Sequence, residues 1–237
     1  MINQRPMPRR FSTLVLSFVF LAAPAWADYQ DYQAGMDAYN RGDYATALRE
    51  WRPLAEQGNP GAQFNLGQLY LKGQGVPQDY VQARQWFEKA AVRGQATAQY
   101  NLGLLYDIGQ GVPQDYLQAR QWYAKAAVQG RTEAQTSLGI MYLTGHGVPK
   151  DYQQALFWFR LAANHGDAMA QTKLGLMYER GNGVTQDVVL AHKWYILGAA
   201  SGDKLGAEHR DALAKHMTPA QIFRAKELAR EWKPKGQ

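Results

Sequence analysis

Four stretches of this chain are copies of one another in a single unbroken register. Ala62–Thr97, Ala98–Glu133, Ala134–Met169 and Ala170–Leu205 align without a gap, and their starts lie 36 residues apart. Thirteen of the 36 columns hold the same residue in every copy. A period of this length restricts the fold more than any composition. Each copy is one supersecondary unit too small to bury its own apolar face, so neighbouring copies must stack and share a core.

Within a copy the apolar columns have helical spacing. In the first, Ala62, Leu66, Leu69 and Tyr70 fall at i, i+4, i+7 and i+8, which predicts a first helix, helix A. Tyr80, Ala83, Trp86, Phe87, Ala90 and Ala91 mark one face of a second, helix B. Gly67 sits inside helix A, where glycine costs about 0.5–1 kcal/mol relative to alanine, so a neighbouring helix is expected to press against it.

Between the helices lies GQGVPQDY, found at Gly73–Tyr80 and again at Gly109–Tyr116. Paired glycines invite a phosphate-loop interpretation, but a dinucleotide fingerprint needs a preceding strand and a third glycine, and no Gly-Lys-Ser/Thr ending is present. A connector accounts for the residues better. Gly73 ends helix A in the left-handed region, Gly75 supplies a second positive φ, Val76 turns inward, and Pro77 stops the helix from resuming. Asp79 is the expected N-cap of helix B with Gln82 as its capping-box partner, and Asp115 with Gln118 and Asp151 with Gln154 repeat the arrangement. The residue between the glycines varies: Gln74, Gln110, His146, Asn182.

The pattern A-x-x-x-L-G-x-x-Y-x-x-G-x-G-V-x-x-D-x-x-x-A-x-x-W-[FY]-x-x-A-A-x-x-G over Ala62–Leu205 resembles the Sel1-like repeat, a relative of the tetratricopeptide repeat. The resemblance implies an all-α fold, a right-handed α-solenoid of antiparallel helix-turn-helix units. The last copy departs from the pattern at Thr185, Val188 and Gly198.

The flanks fit the same plan. Residues 28–58 carry the landmarks Tyr39, Gly42, Asp43, Ala47, Trp51 and Gly58 with a shorter connector, as in a tetratricopeptide unit. Residues 59–205 hold the four repeats. Residues 206–237 are expected to cap the array: Asp203–His216 reads as a fifth helix A, and Thr218-Pro219 opens a last helix with Gln221 at N3. Ile222, Ala225, Leu228, Ala229 and Trp232 would face the last repeat.

Residues 1–27 read as a cleaved secretion signal. Arg5, Arg9 and Arg10 precede an apolar run at 11–23, too short for the roughly 20 residues of a spanning helix, and Ala25-Trp26-Ala27 fits a cleavage site. An uncleaved anchor is the alternative. The expected compartment is periplasmic or extracellular, by the general secretory route despite the twin arginine Arg9-Arg10, because nothing suggests a cofactor loaded before export. Removing three arginines lowers the net charge from +6 to +3 (23 basic less 20 acidic residues), which argues against a nucleic-acid partner. The absence of cysteine leaves packing alone to stabilise an exported chain and excludes thiolate chemistry and zinc–thiolate sites.

Nothing points to a cofactor, a metal or a catalytic group. None of His146, His165, His192, His209 and His216 lies in H-E-x-x-H or an i, i+4 pair; His209 and His216, which could share a helix face, are expected at the surface. Glu50, Glu56 and Glu88 fit solvated faces. Ser201-Gly202-Asp203-Lys204 matches S-x-x-K, the acylation motif of penicillin-recognising enzymes, without an S-D-N or K-T-G companion. Some cysteine-rich relatives in the family are described as β-lactamases, so a hydrolase stands as an alternative, as does an envelope or secretion-machinery assembly factor.

The favoured expectation is a non-catalytic adaptor for a protein or peptide partner. Columns three, seven, ten and eleven lie on one stripe of helix A, and the tetratricopeptide resemblance implies that this stripe lines a concave groove. It comprises Phe64, Gln68, Leu71 and Lys72; Tyr100, Leu104, Asp107 and Ile108; Thr136, Ile140, Leu143 and Thr144; and Thr172, Leu176, Glu179 and Arg180. Its middle is apolar and its ends polar, as in peptide grooves. The alternative is that these residues pack against neighbouring repeats.

Overall fold

The structure, a computed structural model, describes residues 24–234. The predicted signal therefore lies largely outside the described residues. Twelve helices and no strand occur among the described residues. They are α1 (Pro24–Asn40), α2 (Tyr44–Glu56), α3 (Pro60–Lys72), α4 (Tyr80–Val92), α5 (Ala96–Ile108), α6 (Tyr116–Val128), α7 (Thr132–Thr144), α8 (Tyr152–Asn164), α9 (Ala168–Arg180), α10 (Val188–Ala200), α11 (Lys204–Ala214) and α12 (Pro219–Glu231). Each packs chiefly on its sequence neighbours, which is the connectivity of an α-solenoid. In the four copies helix A is α3, α5, α7 and α9, and helix B is α4, α6, α8 and α10.

The glycines of the connector behave as the sequence predicts, with one addition. Gly73, Gly109, Gly145 and Gly181 end their helices in the left-handed region, and each N–H bonds back into the last turn. The second glycine answers to space as well as to φ. A β-carbon on Gly111 would stand 2.3 Å from the Tyr80 carbonyl oxygen, and Gly75, Gly147 and Gly183 meet Tyr44, Tyr116 and Tyr152 in the same way. Each connector thus lies on the first residue of the preceding helix B. The variable residue between the glycines also reaches the preceding unit: His146 stacks on Tyr116, the first residue of α6, at 4.9 Å, and Gln74 accepts a hydrogen bond from Tyr39 of α1 at 3.3 Å.

At the start of helix B, Asp79, Asp115, Asp151 and Asp187 each accept bonds from two backbone N–H groups. The expected reciprocal bond from Gln82, Gln118 or Gln154 does not form; among the described residues the full capping box occurs at Thr218 and Gln221, where α12 begins. A different glutamine serves the connector: Gln78, Gln114 and Gln186 donate to the carbonyls of Leu71, Asp107 and Glu179.

Two invariant columns explain how the helices approach. β-Carbons on Gly67, Gly103, Gly139 and Gly175 would lie 2.5–2.7 Å from the rings of Phe87, Tyr123, Phe159 and Tyr195. The helix A glycine is therefore the seat of the helix B ring. The other column is glutamine. Gln63, Gln99, Gln135 and Gln171 are buried, and their Nε2 atoms donate to the carbonyls of Ala55, Ala91, Ala127 and Ala163 at 3.0, 3.0, 3.1 and 3.3 Å. Each acceptor lies near the end of the preceding helix B and also accepts from the backbone N–H of Gly58, Gly94, Gly130 or Gly166, so the glutamine adds a second hydrogen bond to that carbonyl and joins one unit to the next.

At the C-terminal end, Ala225 and Ala229 of α12 are buried, Ile222 packs on the last core cluster, and Trp232 meets Trp194 edge-on at 6.3 Å. Under this cap His192 is only 2% exposed, and its Nδ1 has no hydrogen-bond partner. Burial, then Arg210 and Lys226, push the imidazole below its ordinary range, against a smaller opposing effect of Asp211. The folded chain thus holds His192 neutral, whereas the unfolded chain takes up its proton near pH 6.5. Stability is fully present above that pH and falls as pH drops toward the lower folded value. Part of the stability should therefore be lost between pH 7.5 and 5.5 through this residue. This loss is measured as the excess fall in urea midpoint over that of His192→Gln, and equal falls in the two proteins would contradict it.

Candidate partner-binding surfaces

The sixteen stripe residues divide by depth. Ile108 is 49% exposed, and Lys72, Thr144 and Arg180 are exposed too. Phe64, Gln68, Leu71, Tyr100, Leu104, Asp107, Ile140, Leu143, Leu176 and Glu179 are half-buried. Several of these both face outward and pack inward: Ile140 and Leu143 rest on the core beside Leu174 and Met177, and Phe64 and Leu71 rest on the cluster around Phe87.

Thr136 and Thr172 do not belong to the accessible stripe. Both are buried, at 4% exposure. Thr136 Oγ1 donates at 3.0 Å to Asp167, the N-cap of α9, whose carboxyl is pushed up by burial. The Thr172 hydroxyl lies where a β-carbon on Gly198 or Gly206 would fall, at 2.4 and 2.6 Å. That contact is the physical reason for one departure of the last copy from the repeat pattern, glycine in place of alanine at 198.

Column ten is also partly committed. Tyr123 donates to Asp107 at 3.0 Å, and Tyr195 donates to Glu179. Burial, together with these carboxylates, pushes both phenols up, so they remain protonated donors. Where the helix B ring is Phe87 or Phe159, column ten holds Leu71 or Leu143. Acid pairs with tyrosine and leucine with phenylalanine in every copy.

Two clefts bracket the stripe. One, of about 270 Å³, lies among Met36, Tyr39, Trp51, Phe64, Asn65, Gln68 and Lys72. The other, of about 340 Å³, is formed by Leu143, Thr144, Leu176, Met177 and Arg180 with Lys150 and Asn182 of the connectors and Tyr152 at the start of α8. A polar depression of about 540 Å³ near Gln129, Arg131, Glu133 and His165 includes no stripe residue.

The remaining candidates for chemistry are dispersed. Among the described residues no group of three or more histidine or acidic side chains could hold a metal, and no helix is long and apolar enough to cross a membrane. His209 is half-buried and stacks on Tyr195 at 5.1 Å, while the exposed His216 lies beyond the end of α11; the two share no helix face. Ser201 caps the end of α10 and donates to Gln171 Oε1 at 3.2 Å, and Lys204 begins α11. The S-x-x-K pair therefore straddles a turn.

Comparison with known proteins agrees with this architecture. The Sel1 repeat profile matches residues 60–94, 96–130, 132–167 and 168–203. The structure of a Sel1 repeat protein from Oxalobacter formigenes is 37% identical, with 84% of this chain and 83% of that one covered and a TM-score of 0.74. The protective antigen c5321 of uropathogenic Escherichia coli, which displays an SLR fold, is 33% identical with a TM-score of 0.74. That match covers 86% of this chain but 46% of the antigen, so the chain spans less than half of that relative's length. A putative Sel1 repeat protein from Klebsiella pneumoniae is 25% identical over 79% of this chain and 93% of that one, with a TM-score of 0.51. No curated protein matches the chain. Four profile matches over most of the described helices, on stacked helix pairs with the same connectors, place this chain in the Sel1 repeat family.

Proposed function

We propose that this chain is an exported scaffold that holds a protein partner along the helix A stripe and carries out no catalysis. The supporting observation is the run of half-buried Leu104, Ile140, Leu143 and Leu176 with the exposed Ile108, and a cleft at each end of the stripe. Outward-facing apolar side chains on a rigid array offer area for a peptide or helix without prior ordering of the surface. The engagement of Ser201 with Gln171, and its separation from Lys204 by a helix break, weigh against a hydrolase. Export rests on the basic, apolar and small-residue order of residues 1–27.

The test is the double variant Leu104→Asp, Ile140→Asp. Both side chains are half-buried, so the helical circular dichroism spectrum should persist, while recovery of a crosslinked protein partner from the native compartment should fall at least about tenfold. Unfolding of the double variant would assign the stripe to the core. Recovery of glycan alone from the unaltered protein would favour an envelope-binding role instead.

A further inference from the structure

A second surface lies on the other side of helix A. Leu138 and Tyr142 are two residues from Ile140 in either direction, roughly 200° around the helix from the stripe. They help to line a cleft of about 320 Å³ between α6, α7 and α8, together with Arg120, Ala124, Lys125 and Trp158. No carboxylate lines it.

The neighbouring junctions show why this one is open. The helix B position of Ala124 is held by Arg52, Glu88, Arg160 and Ile196 in the other units. Ile196 precedes α11, which has no tyrosine at the facing column, so the junctions comparable to this one are those that end on Tyr70, Tyr106 and Tyr178. Arg52 donates to Tyr70 at 3.3 Å and Arg160 to Tyr178 at 2.8 Å, so a guanidinium closes each of those two junctions over the tyrosine. Glu88 instead pairs with Arg84 at 2.9 Å, one turn before it. Among the four junctions that carry the tyrosine, the one at Ala124 alone has neither an arm to reach it nor an acid to neutralise the neighbouring Arg120. Arg120 has no hydrogen-bond or ion-pair partner among the described residues, and its Nε is buried without an acceptor. The same holds for Nε1 of Trp158, whose ring meets the 56% exposed Phe157 edge-on at 5.0 Å. Lys125 stands over the Trp122 ring at 4.0 Å.

We infer that this cleft is a docking site for an acidic segment of a protein partner, one that presents a carboxylate beside a large apolar side chain. The carboxylate answers the unpaired guanidinium of Arg120 and the ammonium of Lys125. The apolar side chain takes the floor formed by Leu138, Tyr142 and Trp158. A space of about 320 Å³ accepts one or two side chains rather than a whole helix. Arginine over an aromatic floor suits a planar carboxylate, which it can hold through two hydrogen bonds.

The test is selection of short random peptides, displayed on phage, against the purified protein. Peptides recovered should carry Asp or Glu next to Phe, Trp or Leu, and their binding should weaken as salt is raised. Affinity should fall about tenfold or more on Arg120→Gln and on Ala124→Glu, and stay unchanged on Leu104→Asp. Ala124→Glu reproduces the Arg84–Glu88 pair already present in the first copy, so the fold tolerates it and the site is filled from within. A selection in which no peptide distinguishes the unaltered protein from Ala124→Glu would overturn the proposal. So would recovery of peptides without an acid that bind Arg120→Gln as well as the parent. Peptides that depend on Leu104 alone would belong to the stripe and leave this cleft without its occupant.

Discussion

Gly139→Ala should lower stability by about 2–3 kcal/mol, with a fall in Tm of roughly 5–10 °C. The sign is the informative part. Alanine is the better helix former by about 1 kcal/mol, so propensity alone predicts a gain inside α7. The added β-carbon would stand 2.6 Å from the Phe159 ring, and the nearest atoms belong to a fully buried aromatic rather than to a flexible chain end. Something in the core must move. Phe159→Leu should remove part of the clash, so the double variant should lose less than the sum of the two single losses. A Gly139→Ala protein that melts at or above the parent would show that helix A and helix B are not held at this distance. Thermal melts by circular dichroism decide it.

This glycine illustrates what the sequence makes legible. A costly residue recurring inside a helix at every period has to mark close approach, and it does. The caps, the left-handed glycines and the inward alanines are local and follow from residue chemistry in the same way. Depth is not local. Helical spacing gives an angle around an axis, and Thr136 and Phe64 share one angle, yet Thr136 is buried because the next repeat's N-cap, Asp167, takes up its hydroxyl. Phe64, with no such partner for its edge, packs its ring on Phe87 at 5.7 Å and stays half-buried. The glutamine column was visible as invariant, but its acceptor lies eight residues back, near the end of another unit's helix. The open junction at Ala124 was hidden for a related reason. It shows only when one column of helix B is set beside the tyrosine column of the following helix A, since the contact belongs to neither copy alone.

The pairing of columns ten and twenty-six yields the last prediction. Glu179→Leu should cost about 2 kcal/mol, because the hydroxyl of the fully buried Tyr195 loses its acceptor. Tyr195→Phe alone should cost about 1 kcal/mol, since the half-buried Glu179 can turn toward water. The double variant recreates the Leu143–Phe159 pair of the preceding copy and should recover most of the loss, which corresponds to a coupling of about 1–2 kcal/mol in urea unfolding. The same three proteins separate packing from partner contact on the stripe. If Glu179 acts only through Tyr195, partner recovery follows stability: reduced in Glu179→Leu and restored in the double variant. If Glu179 touches the partner, binding stays lost in the double variant although its stability has returned. Additive stability losses would show that the alternation of acid–tyrosine and leucine–phenylalanine has no energetic content.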